Sequence, residues 1–402
     1  MARQSDRDRE GPHAASRDRG SGRARRNVDR AVNRWRWRGQ IALIGVALAF
    51  VLYPLVPNED VINSDWPAFA TGARLIVQDP AHLYDLNVQR RVQRDVTGGR
   101  VLVTLGIQGI LPFLAPAWVA LLAVPFELLG TDVGGRLWIL LGLACLAAGL
   151  LLAVRPRAPA AILPAFAGVP TALLMLNAQL DGIVVLGLGG ALALWSRPYL
   201  AGLALGLTLM KPQLVLPLGL GLILARRWRV LAGWATAGVA LLAPTLALSP
   251  HWIFDWLAQT RSTVATGSRE IDLAHLALLF PSNLQSPALA VVTLLAIAAV
   301  LALAWRRRGE FQPTAAVIIA GGVLAAPHAL PADLVVVALA MAVWGKTRWY
   351  EWLALSVVAL ISALAAPPIP ALVGVAIVGW VCLRASGVIT WRSPGPVPVS
   401  AR

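Results

Sequence analysis

Charge is the scarcest property of this chain. Only 14% of its 402 residues are Asp, Glu, Lys or Arg, against 57% that are apolar, and the mean hydropathy is +0.67. A soluble domain carries about 25% charged residues, so the composition excludes an ordinary water-soluble enzyme. Cysteine is nearly missing. Cys145 and Cys382 both lie inside apolar runs, which leaves neither a disulfide framework nor a thiolate metal site. Lysine occurs only at Lys211 and Lys346, so almost all positive charge is arginine. The glycine-rich phosphate loop, the His-Glu-x-x-His and Cys-x-x-Cys pairs and the Gly-x-Ser-x-Gly elbow are also absent. Their absence argues against an ATP-driven pump working from this chain alone, and no metal site and no cofactor are expected.

Long apolar runs are present instead. They recur at roughly 41–57, 108–129, 136–154, 158–176, 179–195, 198–225, 229–248, 288–305, 314–330, 331–345, 348–365 and 367–385. Each approaches the ~20 residues with which an α-helix crosses a ~30 Å hydrocarbon core. Because a chain in lipid must satisfy its own backbone hydrogen bonds, the predicted fold class is an all-α polytopic integral membrane protein with about twelve transmembrane helices. Residues 58–105 and 249–287 mix polar and apolar positions and are too long for tight turns. They are expected to be two structured loops carrying short interfacial helices. The run 198–225 is interrupted by Lys211-Pro212, and proline removes a helix hydrogen bond. Splitting this run would carry Lys211 to the outer face; leaving it whole would hold Lys211 mid-membrane.

The net charge of +15 is unevenly spread. Residues 1–40 hold twelve Arg against five acids and are too polar to fold alone, so they are expected to form a disordered cytoplasmic tail. The transmembrane domain would then span 41–385, and 386–402 would be a second cytoplasmic tail. An Arg-rich arm can bind nucleic acid. The positive-inside rule and anionic lipid account for this one without it, and Asp6 and Asp8 within it read as chance. No cleavable signal peptide is apparent, so Ile41–Val56 reads as an uncleaved first span. The basic clusters Arg226-Arg227-Trp228-Arg229, Arg306-Arg307-Arg308 and Lys346 with Arg348 are expected on the cytoplasmic side. Both mixed loops and the junction Ala326–Leu334 then share the external face.

A handful of polar residues could carry chemistry there. Asp65 stands in "VINSDWPAFATGARL" (Val61–Leu75), just after the first apolar run. Read alone it is a solvated loop acid or a helix N-cap; read functionally it is a general base, which needs a carboxylate close to an acceptor hydroxyl. Its neighbour Trp66, and Trp252 and Trp256 of "HWIFDW", read as interfacial anchors. His328, between Pro327 and Pro331, is either a satisfied polar residue or a hydrogen-bond donor to a phosphate. Asp333 orients a neighbour or caps the next helix. Lys211 inside an apolar run costs about 2.5–3.5 kcal/mol on insertion scales, and either snorkelling or a phosphate partner explains it. Asn177, Gln179 and Asp181 ("NAQLDG") make a further polar cluster. Gly187–Gly190, Gly202 and Gly206 read as small residues at helix contacts.

The order of these elements resembles glycosyltransferase family 87. An Asp soon after span one, an aromatic four residues on, "DPAHLYD" (Asp79–Asp85), "NAQLD", "AGLALGLTLMKP" (Ala201–Pro212), "SNLQS" (Ser282–Ser286) and "APHALPADL" follow one another from residue 60 to about 345. The chain departs from the family pattern at Ala70, Gln78 and Ala332. The resemblance implies a GT-C fold and a mannosyltransferase that uses a polyprenyl-phosphate sugar. It implies an inverting transfer to a hydroxyl of a glycolipid or glycan acceptor at the outer face of the cytoplasmic membrane. Asp65 would be the general base, with Lys211 and His328 binding the donor phosphate, joined by Arg261 or Arg269. Asn177, Gln179 and Asp333 are further candidates for the site.

Two other readings use the same frame. A transporter or lipid flippase would line a path with the ionisable residues; against it, they gather on one face and no internal repeat is visible. A non-catalytic scaffold would recruit partners through the basic tail. No nucleic acid is expected as a partner.

Overall fold

The computed structural model describes residues 61–100, 110–154, 161–264 and 270–390. The basic amino-terminal tail with Asp6 and Asp8, the first apolar run, Arg155, Arg157, Arg269 and the stretch from 391 lie outside the described residues, as does the side chain of Arg261.

The elements described are helical. In chain order they are α1 (Trp66–Gln78), α2 (Leu86–Val96), α3 (Ala117–Glu127), α4 (Thr131–Ala153), α5 (Ile162–Phe166), α6 (Val169–Leu176), α7 (Asp181–Ala193), α8 (Pro198–Leu205), α9 (Leu216–Leu224), α10 (Trp228–Leu248), α11 (Trp252–Val264), α12 (Ser282–Arg306), α13 (Phe311–Leu324), α14 (Leu334–Trp344), α15 (Trp349–Leu364) and α16 (Ile369–Ala385). Among the described residues, α4, α10 and all of α12 but its first residue are long and apolar enough to cross a membrane, and nine shorter apolar helical segments accompany them. Their outward faces stay greasy: Val239 on α10 and Leu294 and Leu295 on α12 are each more than 60% exposed. Apolar surface on that scale suits lipid and not water.

Several expected runs are shorter or broken, and prolines mark the places. Within the expected run 108–129, the described residues from 110 become helical only at Ala117, after Pro116. Within the expected run 158–176, the described residues from 161 form two helices, the second restarting with Pro170 in its first turn, where its missing N–H costs nothing. The run 198–225 divides into α8, two 3-10 segments (Gly206–Met210 and Pro212–Val215) and α9, with Lys211 at the junction. A final break runs from α13 through Pro327 and His328 to a 3-10 turn, Pro331–Asp333, and then α14. Every residue of α14 is buried, as expected of a helix that is apolar all round.

Two tryptophan readings are corrected. Trp66 is fully buried, donates from Nε1 to the Thr131 carbonyl at 2.9 Å and lies 5.6 Å from Trp138 between ring centroids. Trp252 is also core, packed against Tyr84, Trp118 and Trp256. These rings fill the space under the loop that follows the first expected span; composition alone does not separate a lipid-edge Trp from one that locks a loop down.

Glycines set how closely the helices approach. On α4, Gly142 and Gly149 face Gly182 and Gly189 of α7: a Cβ on Gly182 would lie 1.9 Å from the Gly142 carbonyl oxygen, and one on Gly189 would lie 2.1 Å from that of Gly149. Gly202 of α8 meets the Val230 carbonyl of α10 in the same way, and Gly206 meets Ala237. This is small-residue helix packing, and it fixes α7, whose first turn carries Asp181. Gly182→Ala is therefore expected to lower stability by about 1–3 kcal/mol through overpacking. Gly379→Ala, where an added Cβ meets nothing within 4 Å, should be neutral or slightly stabilising. Thermal unfolding of the two variants in detergent checks the contrast.

Candidate active site

Three helix breaks and one loop converge on a polar cluster. The loop contributes Asp65. It occupies the N-cap position of α1, yet its side chain makes no cap hydrogen bond. Ser64 stands in: its Oγ accepts from the Trp66 N–H at 3.2 Å and donates to the Val61 carbonyl at 2.7 Å. The Asp65 carboxylate is thus released from capping and turned inward, where Oδ2 accepts from Nε2 of Gln179. Its backbone N–H donates to the Asn177 carbonyl at 3.3 Å. So Asn177 and Gln179, at the break between α6 and α7, hold Asp65 by main chain and side chain respectively. Ala178 between them adopts φ +50°, the left-handed region, and its carbonyl accepts from Nε1 of Trp138 at 3.0 Å.

The second and third breaks meet at Lys211. Its Nζ donates to Asp181 Oδ2 at 3.0 Å and to Asp333 Oδ1 at 2.7 Å. All three side chains are nearly or fully buried. Asp333 also accepts the Leu330 N–H at 2.6 Å through Oδ2, which stabilises the turn leading into α14. Asp181 Oδ1 is buried without a hydrogen-bond partner. Snorkelling is therefore not what keeps Lys211 in an apolar run; two carboxylates do.

His328 lies in the same break as Asp333. Its Nδ1 is 3.0 Å from Glu270 Oε1, and its ring remains about one-third exposed. The turn beginning at Glu270 clamps this segment twice more: the Ile271 N–H donates to the Ala329 carbonyl at 2.8 Å, and the Ala329 N–H donates to Asp272 Oδ2 at 2.9 Å.

Asp65, which precedes α1 and belongs to none of the long apolar helices, feels both Lys211 and His328. Burial is the largest influence on its carboxyl and pushes it up; the Lys211 charge, the Gln179 hydrogen bond and the His328 charge pull part of the way back, leaving it near 6 against the ordinary 3.8. A carboxylate at that value is a stronger base than an exposed one and is still mostly ionised at neutral pH. The Gln179 bond favours the charged form, so Gln179→Leu should raise the value further. A hydrogen bond to a charged group contributes about 1.5–3 kcal/mol, so the acid limb of the pH–rate profile should move up by about one pH unit or more.

Beside this cluster opens an apolar crevice of about 430 Å³, lined among others by Trp118, Leu122, Cys145, Ile183, Leu207 and Met210. Met210 directly precedes Lys211, and Ile183 lies two residues beyond Asp181.

Residues 113–331 match the sequence model of glycosyltransferase family 87, more than half of the chain. The chain belongs to glycosyltransferase family 87. No curated protein and no solved structure matches it. The family match takes in Gln179, Lys211, Glu270 and His328; Asp65 precedes it and Asp333 lies two residues beyond its end. A family 87 glycosyltransferase acts on a sugar donor and an acceptor, and its apolar helices mark this one as a membrane protein.

Asp65, Asn177, Gln179, Lys211, His328 and Asp333 all fall in this one region. Arg269 and the Arg261 side chain, the other phosphate candidates, are outside the described residues. Sequence reasoning passed over Glu270, Asp272 and His275. The available signal was the stretch "EIDLAH" itself: two acids and a histidine within six residues, in a chain with 20 acids and five histidines in all. Asp181 was visible as a polar residue, but its pairing with Lys211 was not.

Proposed function

We propose that this family 87 protein is an inverting hexosyltransferase that moves mannose from a polyprenyl-phosphate donor to a hydroxyl of a glycolipid or glycan at the external face of the cytoplasmic membrane, within a GT-C-like frame of about twelve spans. The observation that carries the reading is the Asp65 carboxylate, freed from capping, held by Gln179 and near 6 in the field of Lys211 and His328.

In the reaction Asp65 takes the proton of the acceptor hydroxyl. That oxygen forms a bond to the anomeric carbon from the side opposite the phosphate. The bond from the anomeric carbon to the phosphate oxygen breaks, and its electron pair leaves with the lipid phosphate. His328 and Lys211 stabilise the charge that develops there. A lysine has three N–H donors, and Asp181 and Asp333 take two from Lys211, so one remains for the phosphate. The crevice next to Met210 is apolar enough for an isoprenyl chain.

The test uses purified protein in lipid nanodiscs, polyprenyl-phosphate mannose labelled in the sugar, and a membrane glycolipid fraction. The expected result is a labelled glycolipid whose new linkage has the anomeric configuration opposite to the donor's, with lipid phosphate released in equal amount. Retention of configuration, transfer from a nucleotide sugar, or movement of the lipid across the bilayer with no glycosidic bond made would each contradict the proposal.

A further inference from the structure

We infer that Glu270 is a positioning residue that fixes the direction of the His328 ring by holding Nδ1 and so turns Nε2 toward the donor phosphate; the inference rests on the function proposed above. The contact is Nδ1 of His328 to Oε1 of Glu270, at 3.0 Å. An ionised carboxylate only accepts, so His328 donates from Nδ1. With Nδ1 donating to Glu270, Nε2 is the nitrogen left for a ligand, on a ring that is still partly exposed while Glu270 is buried; the phosphate role requires this nitrogen to carry a proton too, so the ring acts there as an imidazolium, both of whose nitrogens donate. Orientation of an imidazole through its far nitrogen is a recurrent device at metal sites, where losing the partner typically lowers metal affinity or activity about 10–100-fold; the same geometry is used here toward a phosphate.

The other oxygen of Glu270 is buried without a hydrogen-bond partner and has only a charge neighbour. This Oε2 lies 3.5 Å from Nε2 of His275, an ion-pair distance beyond a hydrogen bond. His275 is buried and places Nδ1 2.9 Å from Asp272 Oδ1, whose own backbone-facing oxygen takes the Ala329 N–H. Burial works against a charged His275, but the Asp272 hydrogen bond and the charges of Asp272 and Glu270 outweigh it and raise its pKa. The order is therefore Asp272, His275, Glu270, His328, with only the last ring reaching the site. The Ile271 N–H and the Asp272 carboxylate of the same turn bond the carbonyl and N–H of Ala329, the residue after His328, so backbone and ring are anchored together.

The experiment is a double-mutant cycle on transfer from polyprenyl-phosphate mannose, combined with ¹⁵N spectra of histidine-labelled protein recorded where the rings are neutral. Glu270→Ala should lower kcat about 10-fold or more with little change in the acceptor KM, and Glu270→Gln, which keeps an acceptor oxygen but can also donate, should lose less. Neither loss should survive in a His328→Ala background, because Glu270 acts only through that ring. The His328 signals should report a proton on Nδ1 in the wild type and a mixed tautomer in the variants. An unchanged His328 spectrum, or an equal fold-loss with and without the His328 ring, would overturn the inference. Should Glu270→Ala fail to fold, the Glu270→Gln arm of the cycle and its spectrum decide alone. If the spectra change as expected while His328→Ala transfers at the normal rate, the pairing stands and the use of His328 in the proposed function falls.

Discussion

Asp65→Asn is expected to lower kcat for sugar transfer at pH 7.5 by about 10²–10⁴-fold, the usual contribution of a positioned general base. The substitution changes little else. Asparagine keeps an oxygen where Gln179 donates, and the side chain does no capping that would be lost. Stability gives the control. Because the folded carboxyl sits near 6 instead of 3.8, the folded state binds this proton more tightly than the unfolded chain. Its contribution to stability is full below about 4 and is lost as the pH rises through about 6. The variant has no such loss, so above pH 6 its unfolding temperature should equal or exceed that of the wild type. A variant that is inactive and also less stable at pH 7.5 would mean that Asp65 is there for the fold.

Lys211→Met should be the most destabilising single change in the site, at about 3–5 kcal/mol. Removing the ammonium leaves the buried Asp181 and Asp333 facing one another without a cation, and Asp181 already has one oxygen without a partner. A triple variant, Lys211→Met with Asp181→Asn and Asp333→Asn, removes all three charges together. It should recover most of the lost stability, since replacing a whole buried ion cluster is often neutral. The recovered protein then separates the two roles of the lysine. The proposed phosphate contact predicts a stable and inactive protein; restored turnover would leave Lys211 only the task of joining the helix breaks.

These pairings also mark how far the sequence could be read. The apolar runs, their order and the interruption at Lys211-Pro212 were legible because hydropathy and proline act locally. Asp65, Gln179 and His328 were visible because a polar residue beside an apolar run is conspicuous. Partners were not visible. Lys211 and Asp333 are 122 positions apart, and His328 and Glu270 are 58 apart; no local rule joins them. Trp66 and Trp252 were misplaced for a related reason. An indole suits both a lipid edge and a packed core, and only the approach of Trp138, Tyr84 and Trp118 decides between them. The glycines lay between the two cases: their composition announced close helix contacts, but that Gly182 touches Gly142 needed the packed pair of α4 and α7.

The pH dependence of kcat/KM tests the central claim most directly, because it reports the base in the free enzyme. Below its pKa Asp65 carries a proton and cannot accept one from the acceptor, so the rate should fall about tenfold per pH unit on the acid side. The account predicts a limb centred near pH 6 in the wild type, moved upward in Gln179→Leu and missing from the residual activity of Asp65→Asn. A limb near pH 4, or one at pH 6 that persists without the Asp65 carboxylate, would contradict it.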